Sequence, residues 1–359
     1  MKRILILGVG CPPGVNFVNS LRYSGEQMYL VGTDVNKYHL EWPDIDKAYL
    51  SPFDSSHPEY ISFINKIIEK ENIEFVHAQP DCTCKVLSDN RDKINANLFL
   101  PAKRTVKICQ DKFLSAQVWE KGDLHNQRSV LIKHEEDLES AYILLGTPFW
   151  LRATQGAGAR GSTEVHTLSM GYYWMRYWRE RKVGWQFVAQ KFLPGKDFAF
   201  QSLWKDGKLI VSQARERLEY IYNYLSCSGR TGTPVVAKTV HREDINRFAT
   251  NAVKMIDDKA TGIFCVDLRE DEFGIPHVTE INSCRFFTTS FFFTKAGVNM
   301  PYYYVKLAYG EKLPELKQYN AIEEDVYWLR HVDCPAVLKK KEVWKADEKL
   351  AQEYSDNHI

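Results

Sequence analysis

The first hundred residues alternate short apolar runs with amphipathic segments, and this alternation limits the fold more than any other feature of the chain. An apolar run at residues 3–7 ends in glycine, and residues 15–23 follow with helical spacing of their apolar side chains. Another run at 29–34, an amphipathic stretch at 60–71 and a run at 73–78 repeat this order. Such a βαβ rhythm predicts a parallel sheet covered by helices on both faces.

The pattern changes near residues 101–112, where we place a domain boundary. Beyond it, strand-like segments follow one another in hairpins, which predicts an α+β region with antiparallel sheets. The predicted strands lie at 128–133, 148–165 (two strands around a glycine-rich turn), 186–192, 198–204, 208–213, 262–268 and 276–281. Residues 213–220 are interpreted as the end of a strand and a loop, and the tail after residue 312 is too charged to assign.

Composition excludes several classes of protein. The 359 residues carry a formal net charge of +1, whereas binding through many nucleic-acid phosphates needs a basic surplus. No segment approaches the ~20 apolar residues that span a bilayer. The eight cysteines form no paired C-x-x-C sets, which argues against structural zinc and favours reduced thiols in a cytoplasmic protein.

A glycine-containing turn follows the first predicted strand. Gly8, Gly10 and Gly14 could form a phosphate-binding turn at a helix N-terminus, with Asp34 as the acid after the second strand. The spacing differs from G-x-G-x-x-G, and Pro12 and Pro13 have no amide hydrogen to donate. A purely structural turn is therefore favoured.

A second glycine-rich segment carries positive charge. A predicted strand ends at Arg152, and Arg160 lies within the loop that follows. The loop contains Gly156, Gly158, Gly161 and Ser162. Glycine-rich backbone can approach an anion closely and can move as a flap, so the segment is interpreted as a triphosphate-binding loop. The alternative is a glycine-rich hairpin with incidental surface arginines.

Three oxygen-bearing side chains lie on the last predicted hairpin. Glu280 and Asn282 are two residues apart on a strand, so both side chains point to the same face. Asp267 lies thirteen residues earlier, on the strand predicted to pair with theirs. Three converging oxygen donors suit a hard divalent cation such as Mg²⁺ or Mn²⁺ bound together with phosphate. Acids on a hairpin are more often merely solvated, but these stand within apolar stretches, where an unpaired carboxylate is costly.

In this order the motifs resemble those of the ATP-grasp superfamily, and most closely its carbamoyl-phosphate-synthetase-like branch. The resemblance extends from residue 1 to about 312. It implies a Rossmann-like pre-ATP-grasp domain at 1–108 and an ATP-grasp domain at 109–312 that holds ATP between two lobes. The mobile small lobe would span about 113–192 and the larger lobe about 193–312, with a C-terminal extension at 313–359.

The resemblance also implies roles for individual residues. Phosphate would be bound by Lys112, Arg152 and the lid loop 156–162; adenine by Gln190 and by backbone groups of Lys191 and Leu193; ribose by Asp197; and magnesium by Asp267, Glu280 and Asn282. Arg152 and Arg285 would be catalytic, Arg285 by binding the transferring phosphate or the acyl phosphate. Two positions depart from the family pattern, because Gln190 replaces a glutamate and Arg285 stands one position later than usual.

The reaction implied is ATP-dependent ligation of a carboxylate to an amine or a thiol through an acyl phosphate, with ADP and phosphate released. We expect Arg215 or Arg230 to bind the substrate carboxylate, although either could be an ordinary surface charge. A single grasp unit argues against carbamoyl phosphate synthesis itself. Dimers are common among such ligases, which leaves a homodimer open for this chain.

Two other functions remain open: a non-catalytic module that senses ATP or another ligand, and a nicotinamide-dependent oxidoreductase that uses the N-terminal glycines. The aromatic and basic segment 172–185 could stack on nucleic acid. A helix that packs its aromatic face on the small lobe is the favoured interpretation of that segment.

Overall fold

The computed structural model describes residues 1–122, 124, 128–156, 161–226, 229 and 232–340. The N-terminal domain contains a four-stranded, all-parallel sheet of order β3-β2-β1-β4, as predicted. Its elements are β1 (Lys2–Leu7), α1 (Pro12–Tyr23), β2 (Met28–Asp34), β3 (Lys47–Leu50), α2 (Tyr60–Glu71), β4 (Phe75–Ala78), α3 (Asp81–Asp89) and α4 (Lys103–Cys109). Helix α1 begins at two prolines, which the first turn tolerates because its amide hydrogens have no intrahelical partner.

The small lobe is built on a four-stranded antiparallel sheet of order β5-β8-β6-β7. The elements of this part of the chain are α5 (Lys112–Lys121), β5 (Ser129–Ile132), α6 (Asp137–Leu145), β6 (Phe149–Ala153), β7 (Thr163–Val165), α7 (Leu168–Glu180) and β8 (Phe187–Lys191). Trp174 and Trp178 of α7 pack against the core of this lobe. This contact agrees with the packing interpretation of the aromatic segment.

The larger lobe is built on a seven-stranded antiparallel sheet of order β13-β12-β9-β10-β11-β14-β15. Its elements are β9 (Asp197–Lys205), β10 (Lys208–Tyr220), β11 (Pro234–Val240), α8 (Glu243–Ile256), β12 (Gly262–Glu270), β13 (Pro276–Ser283), α9 (Ser290–Lys295), α10 (Met300–Ala308), β14 (Val326–His331) and β15 (Cys334–Lys340). The loop predicted within 213–220 is wrong, because β10 pairs with β11 as far as Tyr220. Strands β14 and β15 lie in the unassigned tail and extend this sheet.

Both faces of the larger sheet are covered. On one face α8 buries apolar residues at helical spacing, and Trp119 of α5 donates its indole hydrogen to the Ala252 carbonyl at 3.1 Å. On the other face a continuous core joins the sheet to α9, α10 and the N-terminal domain. Because this core joins the two domains, the carboxyl ends of β1 and β4 stand beside the larger lobe. None of the helices in the described part of the chain is long and apolar enough to span a membrane.

His77 is a buried titratable group at the contact between the N-terminal domain and α10. Its ring stacks on Phe17 with centroids 4.2 Å apart, and Nδ1 lies 3.2 Å from the Tyr304 hydroxyl. Burial lowers the pKa of His77 to about 3. The imidazole therefore stays neutral in the folded protein at pH values where the unfolded chain protonates it.

We expect this difference to make stability depend on pH. Between pH 7 and pH 5 the unfolded state takes up a proton at His77 that the folded state does not, so folding loses about 2 kcal/mol through this residue. Urea unfolding of wild type and His77→Gln at the two pH values measures the effect. The variant should lose about 2 kcal/mol less than wild type. An identical pH dependence would show that folded His77 is protonated as readily as the unfolded chain.

Candidate active site

The structure brings the three predicted oxygen donors to one face of the β12–β13 hairpin. Asp267 stands directly opposite Glu280 in the ladder, and Asn282 stands opposite Cys265. The Asn282 amide donates to Glu280 Oε1 at 3.3 Å. Within the described residues no three His, Cys, Asp or Glu side chains cluster, so a cation site here depends on the amide oxygen of Asn282 as well as on the two carboxylates.

Two cationic side chains face Glu280. Lys112 Nζ lies 3.4 Å and Arg152 Nη1 lies 3.6 Å from Glu280 Oε2. Burial by itself raises the pKa of Glu280, but the charges of Lys112 and Arg152 outweigh it and hold that pKa below its ordinary value. For Asp267 burial prevails and raises the pKa, against the opposing effect of Arg217. The two carboxylates thus share a face but differ in their counter-charges.

Arg152 connects the two lobes. It lies on β6 of the small lobe, and its Nη2 donates to Gln190 Oε1 at 2.7 Å and to the Thr279 carbonyl of β13 at 2.5 Å. The amide nitrogen of Gln190 donates in turn to Ser129 Oγ at 2.8 Å. The oxygen and the nitrogen of the Gln190 amide therefore both have hydrogen-bond partners within the small lobe, and the oxygen accepts from Arg152.

The predicted lid loop is described only at its two ends. Lys112 Nζ donates to the Gly156 carbonyl at 3.0 Å, which ties the start of the loop to α5. At the other end Gly161 has φ +76°, and a Cβ there would lie 2.7 Å from the Trp185 ring, so only glycine fits. Ser162 borders the cleft between the two lobes. Gly158 lies outside the described residues.

Arg217 contacts two acids of the site, a role that the sequence did not indicate. Its Nη1 donates to Asp197 Oδ1 at 3.0 Å and its Nη2 to Asp267 Oδ1 at 2.5 Å, while the Tyr220 hydroxyl donates to Asp197 Oδ2 at 2.7 Å. These contacts depend on β10 continuing to Tyr220, because residues 215 and 217 then face the cleft together. Alternation of side chains along a strand would have placed residues 215 and 217 on one face. The loop predicted within 213–220 obscured this signal.

Arg215 is almost fully buried at the inner end of the cleft. It donates to the Thr289 hydroxyl, and its guanidinium carbon lies 3.7 Å from the centre of the Phe287 ring. Burial lowers its pKa to about 9. Arg215 thus presents a weakly hydrated positive charge to the cleft. Arg230, the other predicted substrate-binding arginine, lies outside the described residues.

The residues predicted to bind the base lie along the hinge between the lobes. Lys191 is exposed, and its Nζ lies 2.8 Å from Glu272 Oε1. Leu193 is buried at the cleft wall. Lys191 and Leu193 both border the cleft between the lobes.

The predicted site residues that the structure describes, except Gly161, border one cleft of about 200 Å³ between the lobes. Among the described residues, seven basic and three acidic ones line it: Lys112, Arg152, Lys191, Arg215, Arg217, Arg269 and Arg285, with Asp197, Asp267 and Glu280. The excess of positive charge suits a polyanionic ligand. A second hollow of about 230 Å³ adjoins it on the side of the N-terminal domain.

The N-terminal glycines lie in close contact with other parts of the chain. A Cβ at Gly8 would lie 2.3 Å from Pro80, and one at Gly10 would lie 2.4 Å from His39. The geometry favours the interpretation of a structural turn.

Comparison with known proteins identifies the fold. No protein-family model and no curated protein matches the sequence. The biotin carboxylase domain dimer of Hydrogenobacter thermophilus 2-oxoglutarate carboxylase, in complex with MgADP, ADP and bicarbonate, aligns with a TM-score of 0.70 at 16% identity, over 91% of this chain and 73% of that chain. Carboxyaminoimidazole ribonucleotide synthase from Aspergillus clavatus, complexed with ATP, aligns with a TM-score of 0.70 at 14% identity, over 91% and 81%.

L-amino acid ligase from Bacillus licheniformis aligns with a TM-score of 0.68 at 14% identity, over 91% of this chain and 79% of that chain. These solved structures are ATP-grasp enzymes, and their match over most of each chain shows that this chain has the ATP-grasp fold. The fold that the resemblance implied is confirmed.

Proposed function

We propose that the chain is an ATP-dependent ligase that joins a carboxylate to an amine or a thiol through an acyl phosphate, releasing ADP and phosphate. The observation that carries this proposal is the meeting of Asp267, Glu280 and Asn282 with an excess of basic side chains in one cleft. Structural neighbours that hold ATP or MgADP support the nucleotide. An amino acid ligase among them supports the reaction class.

The donor set fits Mg²⁺ or Mn²⁺, because two carboxylates and an amide oxygen on one face are the ligands that hard cations prefer. Asp267, Glu280 and Asn282 would hold the metal. When bound, it would neutralise phosphate oxygens and so allow two anions to approach each other.

The chain's own residues would place the nucleotide. Lys112 and Arg152 would bind phosphate oxygens beneath the lid loop, while the backbone at Lys191 and Leu193 would contact adenine. Asp197 would accept hydrogen bonds from the ribose. Arg217 and Tyr220, which donate to its two oxygens, orient this carboxylate. Closure of the loop would exclude water from the reactive acyl phosphate.

In the reaction, a carboxylate oxygen of the substrate forms a bond to the γ-phosphorus of ATP, and the bond from that phosphorus to the β–γ bridging oxygen breaks. ADP leaves with that electron pair. The amine nitrogen or thiol sulfur then attacks the acyl carbon, phosphate leaves, and the nucleophile loses a proton. Arg285 would bind the transferring phosphate, and Arg215 would bind the substrate carboxylate. Catalysis is then mainly positioning and charge neutralisation.

The proposal is tested with a library of carboxylic acids, Mg·ATP and hydroxylamine, which traps an acyl phosphate as a hydroxamate. We expect at least one acid to give ADP, phosphate and hydroxamate in equal amounts, with mass spectrometry identifying the acid. Pools of amines and thiols then replace hydroxylamine to find the natural acceptor class.

Two outcomes would contradict the ligase. Tight ATP binding without turnover across the acid library would favour a sensing module. Thermal stabilisation by NAD but not by Mg·ATP would favour the oxidoreductase.

A further inference from the structure

A carboxylate of the N-terminal domain contacts an arginine that lines the candidate active site. Asp81 is the first residue of α3, directly after β4, and its Oδ1 accepts a hydrogen bond from Arg285 Nε at 2.5 Å. The two residues are 204 positions apart in the sequence. This contact therefore joins the N-terminal domain to the segment that follows β13.

Arg285 also contacts the β12–β13 hairpin. Its Nη2 donates to Asn282 Oδ1 at 2.7 Å, and the Asn282 amide donates to Glu280. With Nε held by Asp81 and Nη2 held by Asn282, the planar guanidinium has a single orientation, which also fixes the direction of Nη1. Arg285 lines the cleft in that orientation.

Contacts of its own carbonyl and of the preceding proline hold the backbone of Asp81 in place. Its carbonyl accepts from Gln110 Nε2 at 2.7 Å, and Pro80 before it packs against Gly8. Its side chain borders the second hollow, which Lys112, Glu280 and Asn282 also line. The carboxylate thus stands at the wall shared by the N-terminal domain and the cleft. A charge-assisted hydrogen bond to a carboxylate whose backbone is held in this way can orient a long arginine side chain.

We propose that Asp81 is a positioning residue, which holds Arg285 toward the phosphate that the reaction transfers. The inference rests on the proposed function, because it takes Arg285 as the ligand of that phosphate. It gives the N-terminal domain a part in building the active site. Asp81 acts through Arg285 and need not touch either substrate.

The test compares two nucleotides by isothermal titration calorimetry: Mg·ADP and the non-hydrolysable ATP analogue Mg·AMP-PNP. Since Arg285 is assigned to the transferred phosphate, Asp81→Asn should weaken Mg·AMP-PNP about tenfold and change Mg·ADP by less than about twofold. In an Arg285→Ala background, adding Asp81→Asn should change neither affinity, because Asp81 then has nothing to orient.

Asp89→Asn is the matched control. Asp89 lies on the same helix, its side chain is also 31% exposed, and it pairs with Lys85 and Lys103 rather than with the site. It should leave both affinities unchanged. A second readout is the ¹H–¹⁵N signal of the Arg285 Nε–H group, assigned with Arg285→Lys, which should shift in Asp81→Asn and not in Asp89→Asn.

The outcomes separate the inference from the proposed function. If wild type binds neither nucleotide, the proposed function is wrong and the inference falls with it. If wild type binds both and Asp81→Asn binds Mg·AMP-PNP normally, the inference alone is overturned. It is equally overturned if Asp81→Asn weakens both nucleotides alike, or retains its effect without Arg285, since either result indicates a general structural role.

Discussion

Replacing Glu280 with glutamine is expected to lower the rate of ATP-dependent product formation by about 100- to 1,000-fold. The change keeps the shape of the side chain but removes the charge that faces Lys112 and Arg152. It also leaves Asp267 as the only carboxylate of the proposed cation set. Steady-state phosphate release with the acid found by hydroxamate trapping measures the loss.

Glu323→Gln is the control for this prediction. Glu323 is an exposed glutamate that pairs with Lys340 far from the cleft, so its neutralisation should leave the rate unchanged. Melting temperatures of both variants show whether the fold is retained. A Glu280→Gln protein that is folded and turns over at the wild-type rate would remove Glu280 from the proposed cation site.

The second large effect is expected at Arg152. Arg152→Met keeps much of the side-chain length but loses the hydrogen bond to Gln190 within the small lobe and the hydrogen bond to Thr279 that joins the two lobes. It also removes one of the two cations beside Glu280. We expect Arg152→Met to bind Mg·AMP-PNP about 100-fold more weakly than wild type in titration calorimetry. Arg152→Lys should bind it about tenfold more weakly, because lysine keeps the positive charge but lacks the planar set of guanidinium donors.

Arg179→Met serves as the comparison, because Arg179 belongs to the same lobe but forms an exposed ion pair with Glu135. Its nucleotide affinity should equal that of wild type. Equal affinities in Arg152→Met and Arg179→Met would show that Arg152 does not contact the nucleotide and serves only to join the lobes.

The parts of the site that could be predicted from sequence are those set by local geometry. Glu280 and Asn282 share a face because side chains alternate along a strand. Asp267 meets Glu280 because a short hairpin joins their strands, so the pairing follows from turn position alone. The parallel sheet was predictable for a similar reason, since apolar runs and helical spacing recur over a hundred residues.

The parts that could not be predicted depend on contacts between distant segments. Asp81 and Arg285 meet only because a shared core holds the N-terminal domain against the larger sheet. Arg217 contacts Asp267, which lies 50 residues later in the sequence. This contact could not be predicted, because a loop was expected where β10 continues. Strand β15 is mostly exposed and pairs with β14, while β14 pairs with the distant strand β11, so their place is set by these pairings rather than by their own pattern.

The central claim is that one cleft brings together a divalent cation and a triphosphate. The most direct test is a crystal structure with Mn²⁺ and AMP-PNP, in which anomalous scattering locates the metal. We expect the manganese peak between the side-chain oxygens of Asp267, Glu280 and Asn282, with the phosphates toward Arg152. A nucleotide bound outside this cleft, or a metal peak away from those oxygens, would contradict the account.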